Sequence, residues 1–217
     1  MLTVIIIISP SKEMTDQPQK AERQPELVKY AKEFSLIEEL TEDTDFYQAI
    51  NLYHGLQFRY LKKELSQEDI NFLDGYLRIL SARYGVVKPL DGIRYYRKDF
   101  TTKGLYKSWG DKIYQVLSKE KKVILNLASN EYSKTITRYA TDEDHIITVD
   151  FFEQTADGEL KKHASISKKG RGQLVNYIAK KRITTIEDIK NFDDLDYQFT
   201  KEQSNELNWV FIRPKDE

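Results

Sequence analysis

From Val4 to Ile8 the chain reads Val-Ile-Ile-Ile-Ile, five β-branched residues in a row. Such side chains are stiff in a helix and pack well on a pleated surface, so the run is a strand, taken here as Thr3 to Ile8. Apolar residues at every position mean that neither face meets water, which puts the strand in the middle of its sheet. Once the strand is central, the chain must supply neighbours for both its edges and helices for its faces. Open sheets of this kind bind ligands beyond the carboxyl ends of their strands. Here that position is Ser9-Pro10-Ser11-Lys12, which reads as a plain turn or as part of a site carrying one cation.

A second buried strand lies within Lys121 to Tyr132, KKVILNLASNEY. Val123 to Leu127 is a short apolar run closed by polar residues. Asn126, Ser129, Asn130, Glu131 and Tyr132 then bring two amides, a hydroxyl, a carboxylate and a phenol into one place. We read this cluster as the centre of a site, with basic segments elsewhere presented to the same anionic ligand.

The net charge of -1 argues against a wholesale polybasic chain, so the distribution of charge carries the information. Glu13 to Asp45 is acidic, with Pro18 and Pro25, and its helical periodicity over Glu26 to Leu40 reads as an outer helix. Residues 76–112 hold nine Lys/Arg against three Asp, interleaved with Tyr76, Tyr84, Tyr95, Tyr96 and Phe100. Cations with stacking aromatics suit phosphates or bases, or equally a solvated loop with half-buried tyrosines. From Glu159 to Arg182 there are eight Lys/Arg and one Glu. Within it Lys168-Lys-Gly-Arg-Gly172 leads into a helix, Gln173 to Lys181, whose starting amides would attract an anion.

The remaining elements follow from local signals. Phe46 to Leu61 is an aromatic-rich helical stripe with a break or cap at His54-Gly55. Ser66 to Arg83 reads as a helix with a Ser66/Asp69 capping box, Ile70, Leu73, Leu77 and Leu80 on one face, and Gly85 past its end. Leu105 to Leu117 reads as a further helix. Ile146 to Phe152 and Leu160 to Ser167 read as a hairpin about Thr155-Ala-Asp-Gly158. A Thr-capped helix Ile186 to Asn191 and a last strand Asn208 to Arg213 complete the chain.

Several chemistries find no footing. There is no cysteine, hence no disulfide or catalytic thiol. His54, His145 and His163 are too scattered to form a metal set, and no phosphate-loop or nucleophile-elbow motif occurs. No cofactor and no metal site are expected. The apolar run at the amino end is too short for a membrane span and lacks the flanks of a leader, so a cytoplasmic protein without membrane partners is expected.

Five stretches together resemble the YaaA family, the bacterial peroxide-stress proteins. They are Ile-Ser-Pro-Ser-Lys at 8–12, Leu-Ser-Ala-Arg-Tyr-Gly-Val-Val-Lys-Pro-Leu-Asp at 80–91 and Leu-Tyr-Lys-Ser-Trp-Gly-Asp at 105–111. Asn-Leu-Ala-Ser-Asn-Glu-Tyr at 126–132 and Lys-Lys-Gly-Arg-Gly at 168–172 complete the set. They occur in the family's order and span almost the whole chain. The resemblance implies one α/β domain over residues 1–217, a mixed sheet surrounded by helices, with a helix-hairpin-helix-like element. It also implies protection from hydrogen peroxide, linked to intracellular iron, and binding of double-stranded DNA through a basic cleft. The hairpin element maps best onto Asp69 to Ile93, with Tyr84 to Pro89 as the hairpin and Val87 where a second glycine is usual. A second position is Arg182 to Thr185.

Three functions compete, the third of which, direct iron handling, has little support in the sequence. In the first, the chain binds duplex DNA without reading sequence, using Ser9, Lys12, Tyr84, Gly85, Lys88, Arg97, Asn126, Lys169 and Arg171, with the Gly172 amide assisting. In the second, it is an enzyme acting on a nucleotide or nucleobase, by base excision or hydrolysis, with a nucleotide-like small molecule as ligand. Glu131 would then be the general base, with Ser129 and Lys12 as further candidates for a catalytic role and Tyr84 or Tyr132 stacking a base.

Overall fold

The computed structural model describes residues 4–33, 45–120 and 123–214. β1 (Val4–Ile8) is buried at every position, as its five β-branched residues require. α1 (Val28–Glu33) carries the start of the outer helix, whose expected remainder to Leu40 lies outside the described residues, as do Lys121 and Lys122. The aromatic stripe becomes β2 (Tyr47–Gln48), α2 (Ala49–Leu52) and α3 (Leu56–Leu61). Its break falls at His54-Gly55, where Gly55 takes φ +98° and a Cβ would lie 2.5 Å from Ser11 Oγ.

α4 (Gln67–Tyr76) opens with the expected capping box: the Asp69 amide donates to Ser66 Oγ at 3.2 Å and the Ser66 amide donates to the Asp69 carboxylate at 2.8 Å. The helix stops at Tyr76 instead of running to Arg83. Leu77 turns extended, and the chain continues as β3 (Leu77–Ser81), β4 (Gly85–Val87) and β5 (Gly92–Ile93). Leu73, Leu77 and Leu80 fit a helical face, yet Leu77-Arg-Ile-Leu-Ser is equally a buried-strand run. Pairing with β1 decides between the two, tertiary context overriding local spacing. The Asp69–Ile93 segment is therefore helix, strand, tight turn and strand. The turn before Gly85 joins two strands, and no second helix follows it within residues 69–93.

The helix expected over Leu105 to Leu117 is divided at Gly110 (φ +52°) into α5 (Leu105–Trp109) and α6 (Lys112–Ser118). β6 (Val123–Leu127), α7 (Asn130–Thr137) and β7 (Ile146–Gln154) follow. The Thr155–Gly158 turn forms, but its return strand β8 is only Leu160–Lys161. From Ala164 the chain is helical, and α8 (Ala164–Lys181) contains all of Lys168 to Gly172. β9 (Gln198–Phe199) and β10 (Asn208–Pro214) end the sheet, after a short 3-10 turn Glu187–Asn191. The hydroxyl of Thr185 bonds the Asp188 carboxylate beside that turn.

Among the described residues the sheet has eight strands in the order β4-β3-β1-β6-β7-β10-β9, with β8 on the edge of β7. β3, β1, β6, β7 and β10 run parallel, while β4, β8 and β9 are antiparallel. This is a mixed α/β architecture with helices around the main sheet, while β2 and β5 pair separately as a two-stranded antiparallel ladder. The isoleucines of β1 are at most 1% exposed, and full burial of each stabilises the fold by about 1.5–3 kcal/mol. The parallel pairing has one consequence for function: the carboxyl ends of β3, β1 and β6 arrive at a single edge.

Candidate functional site

At that edge the chain leaves β1 through Ser9 to Lys12 and leaves β6 through Ala128 and Ser129. A cavity of about 480 Å³ opens between these turns, α3 and α8. Ser9, Lys12, Gln57, Ser129, Glu131, Tyr132, Lys168 and Arg171 all line it. Its size is that of a small-molecule site.

The two turns are tied together. The Ser129 amide donates to Ser9 Oγ at 2.9 Å, and Ser9 Oγ donates to Ser129 Oγ at 3.2 Å. Asn126 is placed one turn back and does a different job. It is 3% exposed, donates to Thr148 Oγ1 at 3.2 Å and accepts from the Ala128 amide at 3.0 Å. It closes the end of β6 against β7 and faces no ligand space.

Glu131 stands in the first turn of α7. Its carboxylate accepts the Phe100 amide at 3.0 Å, and its carbonyl accepts the Tyr106 hydroxyl at 2.6 Å. The residue thus anchors the 99–106 segment as well as facing the cavity. Lys12 is 65% exposed on its side chain and pairs with Asp99 at 2.5 Å. This hydrogen bond holds the Asp99 carboxyl below its ordinary range and, with a smaller contribution from Glu131, raises the Lys12 ammonium. Arg97 is exposed and close enough to Lys12 to oppose that rise.

Tyr132 packs edge-on against Phe100, ring centroids 5.4 Å apart, and burial pushes its phenol upward. Behind it lies a tyrosine cluster. Tyr53 and Tyr96 share a 2.6 Å hydrogen bond, Ser81 Oγ meets the Tyr96 hydroxyl at 2.8 Å, and burial carries Tyr96 up to about 12. Tyr84 belongs to this core. It is fully buried, with its hydroxyl accepting the Arg94 amide at 3.2 Å, so it offers no face to a base.

The basic side of the cavity comes from α8, and its two glycines explain how. A Cβ on Gly170 would lie 2.4 Å from the Phe151 ring, and one on Gly172 would lie 2.2 Å from the Gln57 carbonyl. The helix is wedged between β7 and α3 at a distance only glycine permits. Both glycines are therefore packing residues, and the expected exposed amides at Gly170 to Gly172 are spent within the helix. What the wedge delivers is Arg171. Its Nε is buried without a hydrogen-bond partner, and burial pushes the guanidinium downward against the pull of Asp150. Gln57, 8% exposed, adds a second buried donor without a partner, its Nε2. Nothing in its sequence context marks Gln57; the signal exists only once α3 meets α8.

Three expected contacts lie elsewhere. Gly85 is buried at φ +74°, and a Cβ there would lie 2.7 Å from Leu27 and 3.0 Å from the Trp109 ring. It lets α5 close on the β3–β4 hairpin, where Trp109 Nε1 donates to the Ala82 carbonyl at 2.9 Å. Lys88 sits at the opposite edge of the sheet, beside a cavity of about 470 Å³. The arginines there are already satisfied: Arg23 bridges Asp74 and Asp91 at 2.6 Å, and Arg78 reaches Glu120 at 3.0 Å. Lys169 is half-buried and does not line the cavity that Lys168 and Arg171 share. Among the described residues no three His, Asp or Glu side chains gather as a metal-binding group, and no helix is long and apolar enough to cross a membrane.

Comparison with known proteins is consistent across the chain. Residues 30–203 match the family described as peroxide stress protein YaaA. A UPF0246 protein of Lachnoclostridium phytofermentans is 36% identical over 188 residues, 83% of this chain and 73% of that protein. One from Clostridioides difficile is 39% identical over 173 residues, 76% of this chain and 70% of its own. One from Lactiplantibacillus plantarum is 37% identical over 172 residues, 76% and 69% respectively.

Proposed function

We propose, from the premise that this chain belongs to the peroxide stress protein YaaA family, that it protects against peroxide by binding double-stranded DNA at the carboxyl edge of its sheet. The observation that carries the reading is the arrival of Lys12, Arg97, Lys168 and Arg171 from three separate stretches at one edge of a chain with net charge -1. Lys12, Arg97 and Lys168 are exposed and stand where phosphates could reach them. Binding is nearly independent of sequence, because phosphate contacts release counterions without reading bases. The helix-hairpin-helix role passes from residues 69–93 to the end of α8, where Arg182 takes φ +55° before the 3-10 turn at Glu187–Asn191. A cytoplasmic location fits this role. The link to iron is indirect in this reading, and equilibrium dialysis against ferrous iron should show no uptake.

The test is a fluorescence-anisotropy titration of duplex DNA at several salt concentrations. Affinity should fall steeply with salt, and Lys12→Gln/Arg97→Gln/Lys168→Gln should flatten that slope by up to about 3. Absence of duplex affinity at low salt would overturn the reading.

The recessed shape of the site favours a second reading, an enzyme acting on a nucleotide or nucleobase. A backbone-binding surface does not need a cavity of about 480 Å³, nor a carboxylate in it. Glu131 would take the proton from water or substrate, with Ser129 and Lys12 beside it. Turnover assays with damaged duplexes and free nucleotides decide the matter, and silence in all of them leaves the binding reading alone.

A further inference from the structure

The cavity has two chemically different sides. On one, Glu131 and Asp99 bracket Lys12, so the cation there is already compensated. On the other, Arg171 and Gln57 carry donors that no protein group accepts. Buried polar groups are almost always hydrogen-bonded, so two unpartnered donors on residues that line one cavity are out of the ordinary. A partly buried guanidinium whose Nε meets no acceptor, with Asp150 acting on it only through its charge, adds to that cost. The cost is understandable if the missing acceptor is a ligand.

The packing supports the same conclusion. Gly172 brings α8 against the Gln57 carbonyl, so the segments bearing the two donors touch. Gly170 seats the helix on Phe151. Two consecutive close approaches, either side of Arg171, fix where its side chain stands. Such rigidity positions a binding group and is unnecessary for a solvated lysine-rich face.

We propose that the floor of this cavity binds the terminal phosphate of a nucleotide-sized phosphomonoester, with Arg171 and Gln57 Nε2 as the principal donors. The exposed Lys168 ammonium and the Ser129 hydroxyl stand beside them to complete the shell. A phosphate is favoured over a carboxylate because donors from three elements surround the site, which suits a tetrahedral anion with three free oxygens. A terminal phosphate is favoured over an internal one because the donors are buried: a phosphodiester within a duplex would need its chain to leave the floor in two directions. The rest of the ligand then extends toward Glu131, whose carboxylate repels a second phosphate and accepts from a sugar hydroxyl or a base N–H. The inference rests on the reading of this edge as the binding face, and it names what the enclosed part holds.

Isothermal titration of the full chain with deoxyadenosine 5′-monophosphate, deoxyadenosine and inorganic phosphate tests it. The monophosphate should bind at least about tenfold more tightly than the nucleoside, and inorganic phosphate should compete with it. Arg171→Gln should weaken the monophosphate by about tenfold or more, and Gln57→Leu by a smaller factor, with nucleoside binding unchanged. Thermal unfolding without ligand should show Gln57→Leu at or above the parent's midpoint, since it removes an unsatisfied buried donor, and Arg171→Gln folded, with a cooperative transition of its own. Equal binding of nucleoside and monophosphate, no binding of the monophosphate at millimolar concentration, or unaltered binding by folded Arg171→Gln would each overturn the proposal. A duplex titration of the same protein separates the two claims. Duplex binding without monophosphate binding sinks this inference only, and the reverse sinks only the duplex reading.

Discussion

Ser9 and Ser129 lie 120 residues apart in the chain and close on each other across the ends of two parallel strands, the Ser129 amide donating to Ser9 Oγ at 2.9 Å and that hydroxyl donating to Ser129 Oγ at 3.2 Å. β1 and β6 are held in register along their whole length, and the serine pair ties the chain together just past the ladder, one residue beyond β1 and two beyond β6. The turns that frame the cavity are therefore continuous with the most buried part of the sheet. Rigid elements position a site better than free loops do.

Ser9→Ala should show the value of this link. It leaves the Ser129 amide without its acceptor, at a cost of about 1–2 kcal/mol in urea unfolding. The same variant should weaken duplex binding with no change of charge. An unchanged unfolding midpoint would mean that the pair is incidental.

Gly172 and Gly75 make opposite predictions under the same substitution. A Cβ at Gly172 meets the Gln57 carbonyl at 2.2 Å, whereas one at Gly75, inside α4, meets nothing within 4 Å. Gly172→Ala should lose about 1–3 kcal/mol by forcing α8 from α3, and should disturb the cavity with it. Gly75→Ala should gain about 0.5–1 kcal/mol through helix propensity alone. Equal unfolding midpoints for the two variants would contradict the wedge.

How far these positions were legible in the sequence differs for physical reasons. β1 and β6 were legible because a run of buried β-branched and aliphatic residues has few other homes. The Ser66/Asp69 box was legible because capping is local. The end of α4 was not, since Leu77 and Leu80 satisfy both a helix face and a strand, and only the neighbouring β1 chooses. Lys168 to Gly172 is recognisable as a motif, but it lies inside α8 and not ahead of it. Its glycines resemble a helix start, whereas they answer to Phe151 and Gln57, which are distant in sequence. Ser9, Lys12, Ser129, Glu131 and Arg171 were singled out and do meet. Tyr84, Gly85 and Asn126 offer a stacking ring, a backbone amide and a side-chain amide, and the core consumes all three. Gln57 carries no local signal, because an orphan donor has no meaning until its surroundings exist.

Asp69 gives a pH dependence with a defined sign. Burial works to raise its carboxyl, but the Ser66 hydrogen bonds and Arg182 outweigh it and hold the group below the ordinary value of 3.8. A carboxyl depressed on folding stabilises the fold fully above its unfolded value and loses that contribution as pH falls through the folded one. Asp69→Asn should therefore cost about 1 kcal/mol at neutral pH, a gap that narrows below roughly pH 4. A gap between parent and variant that stays constant from pH 7 to pH 3 would rule out this assignment.

Glu131 carries two loads that substitution can separate. Its carboxylate accepts the Phe100 amide at 3.0 Å, and the same group places a negative charge beside the cations that would meet phosphate. Glu131→Gln keeps an acceptor for Phe100 and removes only the charge. Duplex affinity at low salt should rise about two- to fivefold, as expected for relief of one partly exposed repulsion, and the gain should shrink as salt screens it. Glu131→Ala removes the acceptor as well, so it should also lose about 1 kcal/mol of stability and release the 99–106 segment that carries Asp99, the partner of Lys12. If the chain is an enzyme, turnover should vanish in both variants while the glutamine form still binds. A glutamine variant that binds duplex more weakly than the parent would show that the carboxylate helps to hold the nucleic acid, and the electrostatic account of this edge would fail.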